Sequence, residues 1–148
     1  MLLFRESEHL LLVQAASSAY AQGLIEEDTV NWQDALGHYK RAYDLDATLE
    51  HQEAYARFCW QMGLWYEAIP LHKDILEQVV AEHGEAGAEY AVEFNNLAMM
   101  YEISSRYSEA KPLYEKALSI RRRMLGVDHP DMGDSLNNIA NWYRARGK

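Results

Sequence analysis

Residues 95–101 read NNLAMMY and residues 137–143 read NNIANWY, the same heptad returning 42 positions later. A fixed period of this size constrains the fold more than any other feature, because each copy is then a small unit that buries its apolar face against its neighbours. The same shift lays Glu67, Ala68, Pro70, Leu71 and Leu76 on Glu109, Ala110, Pro112, Leu113 and Leu118. It also puts Ala56 on Ala98 and Gly84 on Gly126. The matches cluster at small and aromatic positions, which are the ones that packing selects.

Each unit reads as two helices. The first covers residues 91–104, with Phe94, Leu97, Ala98 and Tyr101 spaced for one apolar stripe, and Ser104-Ser105-Arg106 ends it. The second is expected to start at Ser108 as N-cap, with Glu109 in the positive first turn, and to run to Leu125. Gly126 is placed to end it, with Arg121, Arg122 and Arg123 near its negative end. Asp128 then caps a lone helix over 131–147. Alanines at 98 and 110 let two helices approach closely, and Tyr101, Tyr107 and Tyr114 fill the space around them. In the preceding unit Ala56, Ala68, Trp65 and His72 take those places, His72 standing for a packing tyrosine. Upstream, Ala35, Tyr39 and Ala42 mark a second helix over 32–47, whose partner lies within 6–28 beyond a loop at 26–31.

The length of 148 residues suits one domain, 1–148, made of a divergent repeat at 6–48, repeats at 49–90 and 91–132, and a half repeat at 133–148. A formal charge of −9 argues against nucleic acid and anionic membranes as partners. One cysteine permits no internal disulfide, and Arg5, Glu6 and Glu8 break up any signal-peptide core, so a cytoplasmic protein is expected. No two of the six histidines form an HExxH pair, and Asp128-His129 beside Asp131 reads as a capping linker rather than a metal site. Cys59, at the position of Tyr101 and Tyr143, reads as a packing thiol. With no phosphate loop either, the chain is expected to have no catalytic residue, metal or cofactor and not to be an enzyme.

F-x-x-L-A-x-x-Y at 94–101, A-x-x-x-Y at 110–114 and Ala117 resemble the tetratricopeptide repeat. The 42-residue spacing, the NNLA opening, EAxPLYxxAL and the linker Leu125–Asp131 resemble its kinesin-light-chain type. Ser105, where that family usually has glycine, and Met132-Gly133-Asp134 depart from it. The resemblance implies an all-α, right-handed solenoid of antiparallel helix pairs, about three repeats and a final single helix. It also implies a module that binds an extended peptide or a partner protein in the groove lined by the first helices.

Residues of the first helices that do not pack should face that groove: Val92, Asn95, Asn96, Met99 and Glu102, then Asp134, Asn137, Asn138, Asn141 and Arg144. Glu50, Glu53, Ala54, Arg57 and Trp60 match them in the earlier unit. Asparagine both donates and accepts, so it can pair with the backbone of an extended peptide. The resemblance implies that role for Asn95, Asn96, Asn137, Asn138 and Asn141, with Arg57 and Arg144 as carboxylate partners and Glu53, Trp60 and Met99 shaping preference. One asparagine of each pair has a second reading, in which it satisfies a neighbouring helix. The family's chaperone-tail clamp needs lysines where Glu50, Glu53 and Asp134 stand, so basic and apolar peptides are favoured over acidic ones. The alternative to a groove ligand is assembly. Trp142 and Tyr143 are adjacent on the lone helix, so at least one is hard to bury, and a homodimer or continued stacking through 131–147 is expected.

Overall fold

The structure is a computed structural model and describes residues 2–84 and 87–147. The described residues form seven helices and no strand: α1 (Leu2–Asp28), α2 (Trp32–Leu45), α3 (Leu49–Gln61), α4 (Trp65–His83), α5 (Ala88–Ile103), α6 (Tyr107–Leu125) and α7 (Pro130–Ala145). The all-α class and the repeated helix pair expected from the 42-residue period are what is found. The chain resolves into two compact units, Met1–Leu71 and His72–Lys148, and the boundary falls inside α4.

In the first unit α1 packs on α2 and α2 on α3. The contact face of α2 is Ala35, Tyr39 and Ala42, all fully buried. The alanines let the backbones close in, and the tyrosine crosses between them. Its ring packs 4.8 Å from that of Phe58 and 5.6 Å from that of Tyr20, and its hydroxyl donates to Glu27 at 2.8 Å. Gly23 on α1 is the matching notch, since a Cβ there would stand 2.8 Å from the Tyr39 ring. In the second unit α5 packs on α6 and α6 on α7. There α6 repeats the device with Ala110, Tyr114 and Ala117, and the Tyr114 hydroxyl donates to Glu102 at 2.7 Å.

Three helix starts differ from the expectations. Helix α1 spans 27 residues, nearly twice the 14 of α2, and runs to Asp28, so the first half of the expected loop at 26–31 is helical. The N-cap of α6 is Arg106, not Ser108, and Ser108 instead donates its hydroxyl to Glu109 at 2.8 Å. Pro112 is therefore the sixth residue of its helix, as Pro70 is of α4, and the carbonyls the two prolines leave unpaired belong to exposed Ser108 and Tyr66, where water reaches them. The N-cap of α7 is His129 rather than Asp128; its ring accepts from the Asp131 N–H at 3.3 Å, and Pro130 takes the first helical position.

The turns inside the pairs share one geometry. Val30, Gly63 and Ser105 are left-handed, with φ of 63°, 71° and 60°. Each donates its N–H to the carbonyl three residues back, at Glu27, Trp60 and Glu102. Gly147, 42 positions beyond Ser105, has φ 66° and donates to Arg144. Glycine adopts this conformation without cost, whereas a β-branched residue is strained in it. The Val30→Gly variant is expected to gain about 0.5–1 kcal/mol, seen as a higher denaturation midpoint at unchanged slope. A lower midpoint would contradict that strain.

Candidate functional site

The asparagine face is built on α5 and α7. Both are first helices, and their 42-residue register brings the two Asn-Asn pairs side by side. Asn138 Nδ2 donates to Asn95 Oδ1 at 2.8 Å, so the second asparagine of one repeat bonds the first asparagine of the repeat before. Asn95 is buried by this contact, and Asn138 is half-buried. The bond ties α5 to α7, and each side chain keeps further donor or acceptor capacity. Around this pair Asn96, Met99 and Asn141 are half-buried, and Asn137 and Arg144 are exposed. Glu102, expected on this face, is committed to Tyr114.

On α3, in the first unit, Glu53 and Trp60 are exposed. Arg57 is already paired. It grips the Glu27 carboxylate with two N–H groups at 2.8 and 3.1 Å, and its guanidinium lies over the Phe58 and Tyr39 rings. That hydrogen bond holds the Glu27 carboxyl below the usual range, while burial, together with Glu27, pushes the Tyr39 phenol well above its ordinary value. The expected carboxylate partner is thus a structural tie between α1 and α3.

Helix α7 is held from one side. The Arg121 guanidinium is buried and donates to Asp131 O at 3.0 Å and Ser135 Oγ at 2.7 Å. The sequence places Arg121 beside Arg122 and Arg123 near the negative end of the helix, but it lies four residues past Ala117 and continues the buried stripe. The Trp142 indole is 6% exposed and donates to Tyr107 O at 3.2 Å. Tyr143 meets it edge-on at 4.9 Å and stays 38% exposed. Of the two residues expected to form a self-association surface, Trp142 is therefore unavailable, because α6 already covers it.

The opposite side of α5 borders a cavity of about 620 Å³ between α4 and α6, lined by Leu76, Val80, Phe94, Leu97 and Leu113 among others. No group of three His, Cys, Asp or Glu among the described residues is placed to hold a metal. No described helix is long and apolar enough to cross a membrane. Cys59 is fully buried, and desolvation pushes its thiol up to about 11. His72 lies 3.8 Å from the Glu93 carboxylate through Nδ1, and its buried Nε2 has no hydrogen-bond partner among the described residues.

Paired antiparallel helices recurring in register, with a polar asparagine face on α5 and α7, define a helical-repeat protein. Residues 94–131 match the family model of the tetratricopeptide repeat, and the fold is that of tetratricopeptide-repeat proteins. BtubC (BKLC) from P. vanneervenii superposes with a TM-score of 0.70 at 21% identity, over 89% of this chain and 56% of its own. The nearly identical TPR-like repeats ascribed to a Podosopora anserina kinesin light chain superpose at 0.67 and 20% identity, over 88% of this chain and 66% of theirs. This chain thus spans just over half the length of the first and about two thirds of the second. The first TPR of Spaghetti (RPAP3), bound to the HSP90 peptide SRMEEVD, superposes at 0.57 and 14% identity, over 92% of this chain and 96% of that one. No curated protein matches the sequence.

Proposed function

We propose that the chain is a non-catalytic interaction module whose α5–α7 face receives an extended segment of a partner protein. The observation that carries this reading is the division of labour among the asparagines. The Asn95–Asn138 bond fixes the spacing of the two helices, and Asn137 and Asn141 stand on the outer side of α7, reaching solvent. Side chains held on rigid helices and able both to donate and to accept suit the backbone of a peptide. Met99 supplies an apolar contact and Arg144 a cation. A tetratricopeptide-repeat structure with a bound peptide, that of Spaghetti, supports the mode of binding but not the same ligand. Asp134 stands at a position where a clamp for an acidic tail needs a lysine, so the segment received is basic and apolar rather than acidic. A single buried thiol, raised by desolvation, suits a packing role and a reducing, cytoplasmic setting.

Selection of peptides from a random display library tests this. Enriched peptides should bind wild type and bind an Asn137→Ala, Asn141→Ala double variant about tenfold or more weakly, through loss of two hydrogen-bonding groups. Both residues lie outside the core, so the variant should keep its helical circular dichroism. Equal binding to the two proteins would contradict the assignment.

A further inference from the structure

We infer that the cavity between α4 and α6 is a binding site for a medium-chain monocarboxylate, an apolar tail ending in a single anionic group. All of its lining residues belong to the second compact unit. The inference does not rest on the peptide-binding reading, because the cavity borders the side of α5 opposite the asparagine face.

Size and lining set the tail. The volume of about 620 Å³ is that of pockets which enclose small molecules. Phe94, Leu97 and Tyr101 of α5 are the floor, with Leu76 and Val80 of α4 on one wall and Leu113 of α6 on the other. From Phe94 to Tyr101 the floor runs two helical turns, about 10 Å. An extended alkyl chain of about eight carbons spans that length. The repeat itself shows why the space stays open. Val80 and Ala81 stand 42 positions before Arg122 and Arg123, so α4 brings two short apolar side chains where α6 brings two long cations. Apolar walls over an apolar floor bury a tail and offer it no hydrogen bond.

Charge sets the head group and its direction. Lys116 Nζ lies 4.6 Å from the centre of the Phe94 ring, which places a cation over one end of the floor. A carboxylate entering there gains a charge-assisted hydrogen bond while its tail lies along Leu97 towards Tyr101. The other end is different. Ser108 and Glu109 border the cavity two turns before Lys116 on α6, and Glu109 is bonded to Arg106 at 2.9 Å. A second anionic group at that end would lose its water against a carboxylate, so a diacid of the same length is disfavoured.

The probe is sodium octanoate, titrated calorimetrically into the intact protein, with 1-octanol and octanedioate as controls. Saturable binding of one octanoate is expected, with the alcohol and the diacid each about tenfold weaker, as loss of a charge-assisted hydrogen bond implies. Lys116→Gln should bring octanoate down to the affinity of the alcohol and leave the alcohol unchanged. A Val80→Phe, Ala81→Leu double variant fills the cavity from a half-buried and an exposed position. It should keep the helical circular dichroism of wild type and lose octanoate binding about tenfold or more. Absence of saturable octanoate binding to wild type overturns the inference. So does equal affinity for octanoate and 1-octanol, which would remove the role of Lys116. Unchanged octanoate binding by the folded double variant would also overturn it, by placing the acid elsewhere on the protein.

Discussion

Replacing Trp142 by alanine is expected to cost about 3–5 kcal/mol of the stability with which α7 is docked, as deletion of a buried indole does. Trp142 is 6% exposed, and its N–H is bonded to Tyr107 O at 3.2 Å, so the change opens a cavity and removes that hydrogen bond. The position is buried in every repeat: Phe58, Met100 and Trp142 follow one another at 42-residue intervals, and the first two are fully buried. Hydrogen exchange reads the outcome, with the amides of α7 losing protection while those of the α1–α2 pair keep theirs. Tyr143→Ala, at a half-open position next door, is expected to cost less than about 1 kcal/mol. Similar effects of the two substitutions would contradict the division of α7 into a covered and an open side.

Tyr39→Ala is the second large effect, again about 3–5 kcal/mol, and it falls on the first unit. The ring is fully buried between Phe58, Tyr20 and the notch of Gly23, so the cavity cannot be filled by a neighbour in place. Tyr39→Phe separates packing from polarity. It removes only the 2.8 Å bond to a carboxylate that keeps both bonds from Arg57, and should cost about 1 kcal/mol. Denaturant unfolding of the two variants gives both numbers. A Phe variant as unstable as the Ala variant would mean that the Glu27 bond, and not the ring, holds α1 to α2.

The helix pairs were legible because their signals are local and periodic. Ala35, Tyr39 and Ala42, like Ala110, Tyr114 and Ala117, announce a close helix contact whatever lies opposite. What could not be read were roles that depend on which side of a helix its neighbours cover. The stripe through Phe94, Leu97, Ala98 and Tyr101 showed one packing side of a first helix. An interior first helix has two, however, and Met100 fills the other. For that reason the sequence grouped Trp142 with Tyr143, while the structure separates them. Arg57 looked like a groove cation because Glu27, 30 residues away, carries no sequence mark that ties it to α3. The asparagine repeat was visible, but its internal bond was not, because Asn138 reaches back across 43 residues to Asn95 rather than to its register mate Asn96. The caps at Arg106 and His129 were missed because Ser108 and Asp128 are the better capping residues by type, and the turn backbone outweighed that preference.

The central claim, that the face of α5 and α7 is a receptor, is tested most directly by backbone amide chemical shifts of the labelled protein during titration with a library-selected peptide. The prediction is that perturbations gather at Asn96, Met99, Asn137, Asn141 and Arg144, with little change at Leu97 and Leu113, which line the α4–α6 cavity. Perturbations centred on that cavity, or confined to Leu136, Ala140 and Tyr143, would contradict it.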